Sequence, residues 1–352
     1  MRRSVYGSLL ALALVACASR PAVPPSSAGA STGPGVARGT AYDADLTAYP
    51  YPYEVHFRSF EAQGQSLRMA YMDVQPATPN GRAVLLLHGK NFSGAYWADT
   101  IAPLVERGFR VLVPDQVGFG KSSKPAQFQY SFHALASYTR DLLDQLGITR
   151  VSVVGHSMGG MLAARFSLLY APRVERLVLV NPIGLEDWSR VVPYSPIEQA
   201  YTRELANTRD KIREYMRQSY FAGQWQPAYE PLIELTAGWT EGPDRARIAY
   251  NSALTSDMIF TQPVVHDFGR IVAPTLLIIG TRDRTALGKN LVSPEVAATL
   301  GDYERLGKAA ALAIPRARLA ELPGVGHLPQ VEAFPAYLQH LLGFLEPSGA
   351  NP

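Results

Sequence analysis

The sequence predicts an α/β fold, with a mostly parallel central sheet flanked by helices and a helical insertion late in the chain. Three observations predict it. Short, continuous apolar runs alternate with helix-like segments, as strands buried on both faces do. Residues 183–265 break that alternation and carry three of the four tryptophans, Trp188, Trp225 and Trp239. One apolar run ends in Gly155-His156-Ser157-Met158-Gly159, a serine bracketed by glycines where a strand passes into a helix.

The chain has 352 residues and opens with MRRSVYGSLLALALVAC. Arg2 and Arg3 precede an apolar run, Leu9 to Val15, that is too short to span a bilayer. Residues 1–16 therefore read as a secretory signal and are set aside from the fold. Leu14-Val15-Ala16-Cys17 resembles a bacterial lipobox. The resemblance implies cleavage before Cys17, the chain's one cysteine, and lipidation of that residue, which would anchor the protein to a membrane without spanning it. Ala18 rather than an aspartate follows, which in that resemblance points to the outer membrane. Residues 17–50 are rich in Pro, Ala, Ser and Gly, a composition that buries too little apolar surface to offset its ordering entropy, and read as a flexible tether.

Residues 51–182 and 266–352 are expected to form the α/β core. Tyr53 to Ala62 and Gln65 to Val74 read as a hairpin turning at Gln63-Gly64. Buried strands follow at Ala83 to His88, Phe109 to Pro114, Val151 to Gly155, Val174 to Val180, Pro274 to Ile279 and Ala317 to Leu322. Helices are expected at Ala95 to Arg107, Phe132 to Leu146, Met158 to Tyr170, Tyr303 to Ala313 and Val331 to Leu345. The insertion, 183–265, would leave from a strand's carboxyl end and cover the side on which open α/β sheets bind ligands. Its aromatic content reads as a lid that lines an apolar pocket.

Composition excludes several classes. The formal net charge is +3 and no long Lys/Arg block exists, so a nucleic-acid partner is not expected. A single cysteine allows no intrachain disulfide, and the Cys/His spacings of a structural zinc site are absent. GFGKSS and ALGKN look like the end of a phosphate-binding loop, but Asp115 and Asp283 stand where its first glycine belongs. No metal or organic cofactor is implied.

A strand, Gly-x-Ser-x-Gly and a helix make the sharp turn on which a nucleophilic serine sits, with Gly155 and Gly159 where strand and helix pass too closely for side chains. A serine hydroxyl is a poor nucleophile unless a base takes its proton and an acid orients the base. Of seven histidines, His327 lies in a glycine-rich loop directly after the last strand and can reach the site, whereas His156 faces the wrong way to act on its neighbour. The acid should follow a strand between serine and histidine. Asp283, after LLIIGTR, fits; Glu186 and Asp187 are the alternatives, and Asp302 has no strand before it. Asp115 precedes the serine and reads as a loop brace. Backbone N–H groups of Met158 and Lys90 are the expected donors to a developing oxyanion, a contribution of about 3–4 kcal/mol each.

HGKNFSGAYW, DQVGFGKS, GHSMGG, GTRD and GVGH, in this order, resemble the α/β-hydrolase fold superfamily from about Tyr53 to the C-terminus. The resemblance implies Ser157 as nucleophile, Asp283 as acid and His327 as base. Epoxide hydrolases and haloalkane dehalogenases of that superfamily carry an aspartate at the serine's position, so Ser157 argues against both. The stretch between Asp283 and His327 is longer than the resemblance leads one to expect.

The reading is a serine hydrolase of small to medium, apolar carboxylic esters, working through an acyl-enzyme. Amide, lactone, lipid-ester or C–C bond cleavage by the same residues stays open, as does a non-catalytic envelope lipoprotein on a hydrolase fold. The expected partners are a small-molecule substrate and, through Cys17, a membrane.

Overall fold

The computed structural model describes residues 39–346. The signal segment, Cys17 and the tether as far as residue 38 lie outside the described residues. Strands β1 (His56–Ala62) and β2 (Gln65–Val74) form the expected hairpin. Both turn residues take positive φ, Gln63 50° and Gly64 71°, the backbone twist that suits a two-residue connection.

Then follow β3 (Ala83–Leu87), α1 (Ala98–Glu106), β4 (Arg110–Pro114), α2 (Phe132–Gln145), β5 (Val151–His156), α3 (Met158–Leu169) and β6 (Val174–Val180). Four helices come next, α4 (Ile197–Leu205), α5 (Arg209–Tyr215), α6 (Pro231–Glu241) and α7 (Arg245–Thr261). The alternation resumes with β7 (Thr275–Gly280), α8 (Pro294–Thr299), α9 (Tyr303–Ala313), β8 (Ala317–Leu322), α10 (Pro329–Glu332) and α11 (Phe334–Leu345). The single helix expected over Val331 to Leu345 is two. The break falls at Ala333 (φ −138°, ψ 47°), and the helix restarts with Pro335 in its first turn, where a missing N–H costs nothing.

The strands form one sheet in the order β1-β2-β4-β3-β5-β6-β7-β8. The β1/β2 and β2/β4 pairs are antiparallel, and every later pair is parallel. This is the mostly parallel α/β fold expected. Successive side chains point to opposite faces and both faces are covered. Leu85, Leu87, Val153, Leu179 and Ile279 pack under α2, α3 and α9. Val84, Leu86, Val154, Val178 and Ile278 pack under α1 and α11. Each such buried side chain contributes about 2–3 kcal/mol of transfer free energy. Among the described residues, no helix is long and apolar enough to cross a membrane.

The tether needs a correction at its end. Tyr42, Ala44 and Leu46 are buried, and Tyr42 and Leu46 pack on Leu235 and Trp239 of α6. The Tyr42 N–H donates to the Gly238 carbonyl at 2.9 Å, Trp239 Nε1 donates to the Asp43 carbonyl at 3.0 Å, and Lys121 Nζ to the Leu46 carbonyl at 2.5 Å. Composition misled here because two large apolar side chains in a stretch of small residues find partners nearly 200 positions away. Residues 39–50 thus strap the insertion to the core. Leu46→Ala should cost about 2–4 kcal/mol in urea unfolding, as a buried leucine does and a tether residue does not.

Candidate active site

Parallel register brings the candidate residues to one edge. β5, β6, β7 and β8 are consecutive neighbours, and their carboxyl ends lead to Ser157, Asn181, Asp283 and His327 in turn. On the other side of β5, β3 leads to His88-Gly89-Lys90. The strand order reverses between β3 and β5, the point outside which open α/β sheets bind ligands.

Ser157 stands between β5 and α3 with φ 56° and ψ −122°. Positive φ at a residue with a Cβ costs on the order of 1–3 kcal/mol and persists only where surroundings enforce it. Here they do. The Ser157 N–H donates to the Val180 carbonyl (3.2 Å), and its own carbonyl accepts from Gly160 N–H (2.9 Å) and Ile183 N–H (3.2 Å). A Cβ at Gly155 would lie 2.2 Å from the Gly159 carbonyl oxygen, and one at Gly159 2.2 Å from that of Leu87. Serine at a helix N-cap ordinarily turns its hydroxyl onto the first-turn amides. Ser157 makes no such bond, so its Oγ is not spent on the helix.

Asp283 and His327 are both fully buried and bonded, Nδ1 to Oδ2, at 2.5 Å. The same Oδ2 accepts from Asn181 Nδ2 (2.9 Å), and Oδ1 accepts from Thr285 N–H (2.8 Å). A carboxylate only accepts, so Nδ1 carries the proton and Nε2 is left with a lone pair. That Nε2 is buried and has no hydrogen-bond partner.

The alternative acids are engaged elsewhere. Asp187 accepts from His266 Nε2 (2.9 Å) and Ser189 Oγ (2.6 Å). Glu186 accepts from Trp188 Nε1 (3.1 Å) and Gly301 N–H (2.8 Å). Asp302 caps α9. Asp115 braces its loop, accepting from Gly94 N–H (2.6 Å), Lys121 N–H (2.7 Å) and the Tyr51 hydroxyl (2.5 Å).

The loop after β3 lies against the serine: a Cβ on Gly89 would be 3.1 Å from Ser157 Cβ. Lys90 follows, and its side chain reaches away. Its Nζ donates to Ser252 Oγ of α7 at 2.7 Å and lies 3.7 Å from Glu204 of α4. The lysine thus ties this loop to the insertion. Met158 opens α3, where an N–H has no carbonyl four residues back and the helix end carries partial positive charge.

Several residues escaped the sequence reading. Asn181 (φ 34°) also accepts Gly280 N–H on Oδ1 (2.8 Å), locking the β7 turn that carries Asp283. His156 bridges two loops across the serine. Its Nε2–H donates to the His327 carbonyl at 2.9 Å, so its Nδ1 accepts from the Tyr96 hydroxyl at 2.9 Å, which in turn accepts Gly89 N–H at 3.3 Å. Burial, then the nearby His327, hold His156 well below the usual histidine range, which keeps it neutral. From the insertion, a π-turn over Met216–Tyr220 lays the Tyr220 ring 4.5 Å from that of His327, and the Tyr220 carbonyl accepts His327 N–H at 2.8 Å. The long stretch after Asp283 supplies Tyr303, buried with its ring 6.3 Å from that of His327. Polar residues closing apolar strands, as in VLVN, were the available signal for Asn181; the others have none.

Two cavities adjoin the insertion. One of about 150 Å³ is lined by Val192, Tyr194, Ile197, Phe260, Leu287 and Leu291 among others. A smaller one, about 50 Å³, opens beside Lys90 and Asn91 and is lined by Thr236, Asn251 and Ser252. The aromatic side chains that the insertion gives to the apolar cavity are Tyr194 and Phe260, and its tryptophans lie elsewhere, Trp239 lining the smaller cavity. Trp225 packs on Phe221 and Tyr229 within the insertion, and Trp239 packs on the strap.

Residues 82–334 match the profile of a family described as alpha/beta hydrolase fold. The crystal structure of a probable hydrolytic enzyme from Pseudomonas aeruginosa PAO1 is 50% identical, with a TM-score of 0.86 over 88% of this chain and 99% of that one. Lipase 1 of Psychrobacter immobilis is 27% identical over 95% of this chain and 93% of its own. A haloalkane dehalogenase of Mycobacterium marinum is 26% identical over 66% of this chain and 79% of its own. The first curated relatives, mycobacterial proteins 37% identical over 134 residues, are matched along only 36% of their length.

The loop that carries His327 is clamped by Glu332, which accepts Gly326 N–H at 2.8 Å and pairs with Arg282, next to Asp283. Burial, against the pull of Arg282, pushes the Glu332 carboxyl up to about 7. A raised carboxyl favours the folded chain while protonated, and that contribution is lost as pH climbs from the ordinary glutamate range through about 7. Glu332→Gln keeps an acceptor and removes the titration. Urea unfolding at pH 5 and pH 8 should show a fall in wild-type stability, on the order of 2–3 kcal/mol, that the variant lacks; parallel pH dependences would contradict this account.

Proposed function

The chain belongs to the alpha/beta hydrolase fold family, and on that premise we propose that it hydrolyses carboxylic esters through a Ser157 acyl-enzyme. The observation that carries the reading is the buried Asp283–His327 bond, which leaves an unpartnered Nε2 at the strand edge where Ser157 is held in its strained turn. His327 Nε2 takes the Ser157 proton as Oγ attacks the ester carbonyl carbon. Charge that develops on the carbonyl oxygen is met by the N–H groups of Met158 and Lys90 at the positive end of α3. Collapse expels the alcohol, protonated by His327. Water, deprotonated by the same nitrogen, then cleaves the acyl-enzyme and releases the acid. Asp283 keeps the ring in the required tautomer and stabilises the imidazolium. The polar cavity beside Lys90 adjoins one expected oxyanion donor and supports a small polar part of the substrate, whereas the apolar cavity between α4, α7 and the stretch after Asp283 is lined by neither Ser157 nor His327 and supports only apolar space under the insertion.

A fluorophosphonate probe should label Ser157, located by mass spectrometry, and labelling should fade in His327→Ala. Ser157→Ala should keep its unfolding midpoint and lose ester turnover by a factor of about 10³ or more. Retained turnover in Ser157→Ala would overturn the assignment.

Export and a lipid anchor at Cys17, with the outer membrane as destination, belong to the same proposal. They are supported by Arg2, Arg3, the apolar run and Leu14-Val15-Ala16-Cys17. Metabolic labelling with a radioactive fatty acid in a Gram-negative host should mark the protein and should be lost in Cys17→Ser. Equal labelling of both would rule the anchor out.

A further inference from the structure

At the opposite edge of the sheet, about 20 Å from Ser157 along β5, the amino ends of the parallel strands form an open groove of about 740 Å³. Five arginines converge on it from four stretches of chain. Arg82 precedes β3, Arg150 precedes β5, Arg176 lies in β6, Arg316 precedes β8 and Arg318 lies in it. Glu175 is the only carboxylate in the lining. The whole chain carries a formal net charge of +3, and this one groove holds an excess of four positive charges. The charge is therefore segregated, not spread.

Glu175 is already engaged. It pairs with Arg82 Nε at 3.2 Å and lies 4.0 Å from Arg150 Nε. Arg82 also donates to the Leu345 carbonyl. Among the described residues, no carboxylate lies within ion-pair distance of Arg176, Arg316 or Arg318. Arg316 reaches a backbone carbonyl, that of Val272, at 3.4 Å. Arg176 lies over the Phe344 ring, 5.4 Å from its centroid, which holds the guanidinium in place without neutralising it. Arg176 and Arg318 share the sheet face on which Phe344 packs, on strands to either side of β7. Burial first, then the charge of Arg82, hold Arg176 below the usual arginine range, with Glu175 opposing them.

Glu175 offsets one of these five charges, and holding the remaining guanidiniums together costs free energy unless more negative charge sits among them. Their planar donor forks match phosphate oxygens two at a time. Pro274, Ala317 and Phe344 share the lining of the groove with the arginines. We propose that it binds a phosphate-bearing group, at a site separate from the hydrolase centre. A soluble diphosphate and a phospholipid headgroup present the same chemistry.

The test compares the full chain with Arg176→Gln/Arg318→Gln, two positions outside the Ser157 site, so ester turnover should be equal in both and reports correct folding. Inorganic pyrophosphate titrated at low salt should raise the wild-type unfolding temperature saturably, by about 3 °C or more, and bind the variant at least tenfold more weakly. Binding should weaken as salt screens the cluster. In a second arm, phosphatidylcholine vesicles with and without phosphatidylglycerol are offered to both proteins. Reading only the difference between them cancels whatever the N-terminal segment contributes. A variant-sensitive response to pyrophosphate alone assigns a soluble phosphate, and one to phosphatidylglycerol alone assigns the headgroup. Equal behaviour of the two proteins in both arms overturns the site.

Discussion

The site is organised around a buried carboxylate. Asp283 is wholly withdrawn from water, and an ion in that position is tolerable only when its oxygens are met by well-placed donors. Asn181, Thr285 N–H and His327 meet them, and each donor is delivered by a different feature of the sheet's carboxyl edge. Asn181 directly follows β6, Thr285 sits in the turn after β7, and His327 hangs from the loop after β8. Removing one strand from the order, or slipping its register, would strand the charge. The β5–β8 register and the site geometry are in this sense a single constraint.

What covers the edge is assembled from three distant parts of the chain. The insertion supplies Tyr220 against His327 and anchors Lys90 through Ser252. The stretch after Asp283 supplies Tyr303 and one wall of the apolar cavity. The strap over residues 39–50 holds α6 to the loop of Lys121. The stretch between Asp283 and His327 thus reaches the site through Tyr303, and the insertion reaches it through Tyr220.

Legibility in the sequence followed the range of the forces involved. Val174–Val180, Tyr303–Ala313 and Ala317–Leu322 fold over the very residues expected, because burial on a sheet face or a helix stripe imposes its period on neighbouring positions. Ser157, Asp283 and His327 could be nominated because each stands at a recognisable junction of strand and loop, and the structure sets Asp283 against His327. The bridge from Gly89 through Tyr96 and His156 to the His327 carbonyl could not be nominated, since it joins the loops after β3 and β8 across the end of β5, which only the folded sheet makes neighbours. The strap was misread for a related reason. Local composition reports the entropy of a segment, and the compensating contacts of Tyr42 and Leu46 lie on a helix formed much later in the chain.

The close passage at Gly155 and Gly159 bears on how such a chain can diverge. At Gly307 the atoms that would meet a new Cβ belong to the Ile279 side chain, so a smaller neighbour could make room. At Gly155 and Gly159 the nearest atoms belong to the backbone of Gly159 and Leu87, and no change of side chain moves them. Substitutions at these two positions have no compensating partner anywhere in the sequence. The chain around Ser157 can vary in side chains that line the cavities and in the length of the segments that cover them, whereas the crossing of strand and helix beneath the serine is closed to stepwise change.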